Sequence, residues 1–262
     1  MDLALSGKTA LVTGASRGIG LAVVRALAEE GVSVVAGARG TTRELAALAE
    51  TSRVHPVTAD LSTPDGPAAL VEAGTALLGG RLDILVNNVG GVRPRTGGFL
   101  SVTDSDWLEA LTINFLAAVR VTRAALPYLL ENGGSIVTIG SVNSSLPDPL
   151  VVDYSASKAA LANFSKALSK EVGPRGVRVN TISPGPVATD LWLGPGGVAE
   201  TVGGVHNLAP EDVAKGAVSG TATGRFTRPE EVADLVLLLA GGRAANMTGA
   251  DVLIDGGLIT TM

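Results

Sequence analysis

Short runs of β-branched and other apolar residues alternate along the chain with longer stretches rich in Ala and Leu, whose apolar positions recur at helical spacing. The runs Thr9–Thr13, Val32–Ala36, Val54–Thr58, Leu82–Val86, Ser135–Ile139, Arg178–Ile182 and Asp251–Ile254 predict strands. Most are apolar throughout rather than alternating, as strands covered on both faces are. Helices are predicted over Ile19–Glu30, Arg43–Glu50, Pro67–Leu78, Asp104–Leu130, Tyr154–Val172 and Pro229–Ala240. In the last of these, Pro229 suits the first helical position and two glutamates follow it in the first turn. Strands alternating with helices imply right-handed crossovers. The expected fold is therefore α/β, a Rossmann-type doubly wound parallel sheet of about seven strands with helices on both faces. No repeat, low-complexity tract or linker divides the chain, so residues 1–262 are read as one domain. One segment, Leu191 to Thr227, is rich in glycine and long for a connection, and is expected to be an irregular, functional or mobile loop.

Composition narrows the function classes. Hydrophobic residues make up 46% of the 262 positions and charged residues 17%, ample for a core and for buried subunit contacts. Net charge is -5 with no basic block, which disfavours nucleic acid. There is no cysteine, so disulfides, thiol catalysis and cysteine metal sites are excluded. The two histidines, His55 and His206, belong to no cluster with ligand spacing, and no catalytic metal is expected. No secretory signal is seen, and the best apolar run, Val232 to Ala240, is interrupted by Asp234. A cytoplasmic protein without a membrane partner is expected.

Two stretches carry chemistry. Thr13-Gly14-Ala15-Ser16-Arg17-Gly18-Ile19-Gly20 follows the first strand and opens the first helix. Glycines there let the backbone approach a pyrophosphate, and the helix start offers unpaired N–H groups. The spacing is Gly-x-x-x-Gly-x-Gly, unlike the commoner Gly-x-Gly-x-x-Gly. The second strand is followed by Arg39, where NAD sites carry a carboxylate for the ribose 2′-hydroxyl. Arg39 and Arg17 can instead pair with a 2′-phosphate, which favours NADP(H) over NAD(H). The second stretch, Tyr154-Ser155-Ala156-Ser157-Lys158, places a phenol and an ammonium one helical turn apart. A cation there is expected to lower the Tyr154 pKa and fit it for acid–base work.

These motifs resemble the short-chain dehydrogenase/reductase family in its single-domain form, from Lys8 to Gly257 and in the family's order. Asp60-Leu61 looks like the pair beside the adenine ring. Asn87-Asn88-Val89-Gly90 resembles the family's Asn-Asn-Ala-Gly, with valine for alanine. Asn114 falls where the family places a catalytic asparagine that positions a water linked to lysine. Ser141 precedes Tyr154 by 13 residues. Pro184-Gly185-Pro186-Val187-Ala188-Thr189 is similar to the segment that touches the nicotinamide, and Asp255-Gly256-Gly257 to the carboxy-terminal turn. The resemblance implies interconversion of a ketone or 3-oxoacyl group and a secondary alcohol, with a small-molecule carbonyl or alcohol substrate. It implies Tyr154 as proton donor or acceptor, Ser141 hydrogen-bonded to the substrate oxygen, and Lys158 on the nicotinamide ribose. It also implies a homotetramer or homodimer joined through the long central helix and Tyr154–Val172.

By the same resemblance residues 191–227 form a substrate lid, with Trp192, Leu193, Val198 and Val202 able to cover an apolar ligand. Trp192 could equally pack on the protein body or on a neighbouring subunit. Val142, Asn143 and Leu146 are expected to line the pocket after Ser141. Arg93 and Arg95 are either solvated loop charge or ligands for an acidic group or acyl carrier. The rivals are an NAD-linked alcohol dehydrogenase and a catalytically silent NADP-binding sensor or scaffold.

Overall fold

The computed structural model describes residues 2–261. Seven strands, β1 (Thr9–Thr13), β2 (Ser33–Ala38), β3 (Val54–Thr58), β4 (Ile84–Asn87), β5 (Gly134–Ile139), β6 (Val177–Pro184) and β7 (Asp251–Ile254), form one sheet. Every pairing is parallel and the order is β3-β2-β1-β4-β5-β6-β7. Strands β1, β3 and β7 keep their expected bounds, and the ends of the other four shift by at most two residues.

Neighbouring residues of a strand feed opposite cores, as the pleat requires. Val12 and Val34 point to one side with Val23, Val24 and Leu27 of α1 (Gly18–Glu29) and Val232 and Val236 of α10 (Pro229–Ala240). Leu11 and Val35 point to the other. There they meet Leu70 of α3 (Gly66–Leu77), Val121 and Leu129 of α5 (Ala117–Asn132) and Leu168 of α6 (Val152–Val172). The remaining helix against the sheet, α2 (Arg43–Thr51), is capped by the Thr42 hydroxyl and buries Leu45.

Two predicted elements differ. The helix expected over Asp104–Leu130 is broken into α4 (Asp104–Leu111), a π-helical turn (Thr112–Leu116) and α5. Asn114 causes the break: its amide donates to the Ala110 carbonyl, four residues back, and to Gly91 outside the helix. By length and composition Asp104–Asn132 could cross a membrane, which the expectation from single apolar runs overlooked. Here it is a core helix, with Ala117, Val121, Ala125 and Leu129 buried against the sheet. The segment expected to be an irregular loop contains three helices, α7 (Asp190–Leu193), α8 (Val198–His206) and α9 (Pro210–Ser219). Pro210 starts the last of them with Glu211 and Asp212 in its first turn, a start signal that the surrounding glycines mask.

Candidate active site

A strand order that reverses between β1 and β4 opens a crevice at the carboxyl ends of the strands, where doubly wound sheets bind ligands. A cleft of about 2020 Å³ runs there from the glycine loop to α8. The residues assigned above to the cofactor or to the reacting centre line it, except Asn114 and, within the quoted motifs, Thr13, Ala15, Asn87 and Ala188.

The loop after β1 is closed from within. A Cβ on Gly20 would stand 2.2 Å from the Gly14 carbonyl oxygen, and one on Gly14, whose φ is +64°, 2.9 Å from the Asn88 amide. Asn88 Nδ2 donates to the carbonyls of Thr13 and Gly14, at 2.9 and 3.1 Å. The Thr13 hydroxyl accepts from the Asn88 and Val89 backbone N–H groups. Thr42 donates to the Ser16 carbonyl at 2.8 Å. Thr13 and Thr42 were not singled out in the sequence, where a threonine ending a strand and one capping a helix carry no distinguishing signal. Helix α1 has no side-chain cap and no acidic residue in its first turn. Its leading N–H groups thus face the cleft as anion donors, a cradle that fits a pyrophosphate. Arg17 and Arg39 are exposed on the same wall, and neither joins an ion pair among the described residues. Asp60 is held below the usual carboxylate range by hydrogen bonds from Ser62 and, more weakly, by Arg39.

The middle of the cleft carries the polar groups. Ser141 follows β5, is 6% exposed, and exchanges hydrogen bonds with Asn143. Tyr154 lies in the first turn of α6, half-buried. Burial pushes its phenol above the ordinary 10, and the Ser141 hydroxyl draws it back. Lys158 is 4% exposed, and its ammonium donates to the Ile139 carbonyl at 2.9 Å and stands 5.7 Å from the Tyr154 ring centre. Burial brings it down to about 8. The expected lowering of the Tyr154 pKa is therefore corrected: burial raises it, and the Ser141 hydrogen bond offsets only part of that rise.

Asn114 is 1% exposed and stands behind the cleft. It accepts from Gly91 N at 3.0 Å and donates to the Gly91 and Ala110 carbonyls. Both of its side-chain donors are spent on backbone, so the side chain braces the Gly90-Gly91 stretch. Gly90 sits between, where a Cβ would meet Asn114 Oδ1 at 2.8 Å and Lys158 Nζ at 3.6 Å.

The far end is apolar. Val142, Leu146, Trp192, Val198 and Val202 line it as expected, joined by Leu150 and Leu258. Trp192 also packs edge-on against Phe226, with ring centres 5.7 Å apart. Leu193 does not line the cleft and is 51% exposed, while Asp190, Leu191 and Trp192 of the same turn do line it. The two loop arginines separate: Arg93 pairs with Glu109 in solvent, whereas Arg95 is bound inward by Asp106 and Asp153. Asp153 was missed, since it falls one residue ahead of the helix expected from Tyr154 and its partner Arg95 lies 58 residues away.

A family model described as enoyl-(acyl carrier protein) reductase matches residues 14–259. The chain is 33% identical to 3-oxoacyl-(acyl-carrier-protein) reductase of Thermotoga maritima, over 97% of this chain and 99% of that one. It is 38% identical to D-threitol dehydrogenase of Mycolicibacterium smegmatis, over 98% and 94%. The crystal structure of L-sorbose reductase from Gluconobacter frateurii, complexed with NADPH and L-sorbose, superposes over the whole of both chains. Its TM-score is 0.91 and its identity 32%. Fold, cleft and relatives agree, and the chain belongs to the short-chain dehydrogenase/reductase family as an oxidoreductase of the carbonyl–alcohol couple.

Proposed function

We propose that this protein is an NADP(H)-dependent reductase that turns a medium-sized, mostly apolar ketone into a secondary alcohol, with Tyr154 as proton donor. One observation carries the reading. The Tyr154 and Ser141 hydroxyls and the Lys158 ammonium meet mid-cleft, between a half built of glycines and free cations and a half walled by apolar side chains.

The open N–H groups of α1, with Arg17 and Arg39 in no ion pair among the described residues, suit a dinucleotide with a 2′-phosphate. NADP(H), when bound, supplies or accepts the hydride. Ser16, Gly18 and Ile19 would face its phosphates, Asp60 and Leu61 its adenine, and Gly90, Lys158 and the Pro184–Thr189 stretch its nicotinamide half. Ser141 donates a hydrogen bond to the substrate oxygen and orients it. Tyr154 delivers a proton to that oxygen. Lys158, charged below about 8, then stabilises the phenolate that remains.

The relatives act on substrates from a 3-oxoacyl carrier protein to sugars. The reaction is thus what they share, and the pocket of this chain must name its substrate. Leu146, Leu150, Trp192, Val198 and Val202 offer burial rather than charge, and Arg95 is already neutralised by carboxylates. An absorbance assay of NADPH and NADH oxidation against aryl ketones, cyclic ketones and β-ketoacyl thioesters tests the reading. NADPH oxidation with an apolar ketone is expected; silence on every ketone with NADPH still bound would overturn it in favour of a sensor. Arg39→Asp is expected to move the NADPH-to-NADH preference by about tenfold or more, through lost attraction and new repulsion of the 2′-phosphate. An unchanged preference would take Arg39 out of the cofactor site.

We also place the protein in the cytoplasm as a homodimer or homotetramer. Phe99, Leu100 and Leu108 are 65%, 97% and 65% exposed, apolar surface that a second copy would cover. A monomer by light scattering would remove that assignment.

A further inference from the structure

Tyr154 is preceded by a buried carboxylate whose only ion-pair partner among the described residues comes from another element. Asp153 is 2% exposed. Its Oδ1 accepts from the Tyr154 backbone N–H at 3.0 Å, and its Oδ2 accepts from Arg95 Nε at 3.0 Å and from Arg95 Nη2. The remaining end of the Arg95 guanidinium, Nη1, donates to Asp106 Oδ1 at 2.8 Å. Asp106 is itself locked in the capping box that starts α4, with Thr103. The Arg95 backbone N–H donates to the Leu150 carbonyl just ahead of α6. One side chain in the loop after β4 thus fastens the first turn of α6 to the first turn of α4.

We propose that Arg95 is a positioning residue for Tyr154, neutralising the Asp153 carboxylate beside it and fixing the start of α6. The inference rests on Tyr154 being the proton donor. A buried carboxylate left without its guanidinium is costly and disfavours a second negative charge nearby. The developing Tyr154 phenolate is that second charge. The other charged groups around it are Lys158 on its own helix, Arg93 in the loop after β4, Glu109 and Asp106 on α4, Asp148 ahead of α6 and Asp190 at the start of α7. Asp153 is nearer in the chain to Tyr154 than any carboxylate among these, and more buried. Its charge balance is therefore set by a loop residue that also walls the substrate end of the cleft.

The chain has two tyrosines, Tyr128 and Tyr154, so phenolate absorbance can be assigned. The experiment is a pH titration of that absorbance in the protein with NADP⁺, with the Tyr154→Phe variant subtracted. Arg95→Met is expected to raise the Tyr154 midpoint by about one unit. Asp153→Asn, which leaves Arg95 uncompensated, is expected to lower it. The double variant should return near the unmutated midpoint. Opposite shifts that cancel in the double variant support the proposal, because simple loosening of the fold moves both single variants the same way. Equal midpoints in all four proteins, or shifts of one sign in both single variants, overturn it. If Arg95→Met does not fold, Asp153→Asn decides alone: a lower midpoint supports the proposal and any other result overturns it. Failure of the underlying reading is seen elsewhere, as turnover retained by Tyr154→Phe.

Discussion

The two ends of the cleft are built differently. At the glycine end the backbone makes the site. Gly20 packs onto Gly14, the Thr13 hydroxyl takes two N–H groups from the loop after β4, and Asn88 spends its amide on two carbonyls. At the lid end side chains make it. Three short helices rest on Trp192 against Phe226 and on one parallel bridge between Val187 and Thr227. Leu191, Leu193, Val205 and Leu208 remain 40% to 53% exposed there. Backbone geometry tolerates few substitutions and side-chain walls tolerate many. Relatives with unlike substrates can therefore share the first end while differing at the second.

The largest effect is expected where the ends meet. Tyr154→Phe removes the proton and keeps the ring, so turnover should fall by a factor of about 10² to 10⁴ while NADPH affinity stays within about threefold. Steady-state rates and NADPH fluorescence separate the two. Turnover near the unmutated level would place the proton donor elsewhere.

Next is the glycine end itself. Gly20→Ala puts a methyl 2.2 Å from the Gly14 oxygen and 2.6 Å from the Asn88 amide, and backbone cannot yield as a flexible side chain does. A loss of about 1–3 kcal/mol in stability is expected, together with weakened NADPH binding. Gly40→Ala is the control, since a Cβ there meets nothing within 4 Å. Equal melting temperatures for the two variants would refute the idea that backbone closure shapes this end.

The same contrast explains what the sequence could reveal. Strand runs and the glycine loop are local patterns with one backbone solution, and they lie within a few residues of their expected places. Tyr154, Ser141 and Lys158 converge because strand ends and one helical turn fix them. The break at Asn114 was not legible, since it depends on Gly91, a partner 23 residues away. The helices of the lid were hidden by glycines at 194, 196, 197, 203, 204 and 216, which lower helix propensity until tertiary packing overrides it. Arg95 read as a loop charge because its carboxylates, Asp106 and Asp153, are distant in sequence or disguised as a helix-start residue.

A smaller effect tests the electrostatics of the junction. Lys158 has a folded pKa of about 8 against an ordinary 10.5. Below 8 it is charged in both states and the folded protein bears the full cost of burial. Between 8 and 10.5 the unfolded chain holds one more proton, so stability rises with pH. Relative to Lys158→Met, the ligand-free protein should gain about 3 kcal/mol across that window. Chemical denaturation at pH 7.5 and about 10 measures it, and parallel changes in both proteins would mean that Lys158 is hydrated.

The smallest and most local prediction concerns two neighbours in α7. Trp192 lines the cleft and Leu193 faces solvent. Trp192→Ala removes apolar wall, worth about 1–3 kcal/mol of substrate binding, so KM for an apolar ketone should rise about tenfold or more. NADPH affinity should not change, because the glycine end is untouched. Leu193→Ala should leave KM within about twofold. If both substitutions raise KM equally, the lid closes differently around substrate than it lies here, and α7 turns to bring Leu193 inward. If neither does, the apolar end of the cleft does not select the substrate, and the loop carrying Arg93 is the next wall to change.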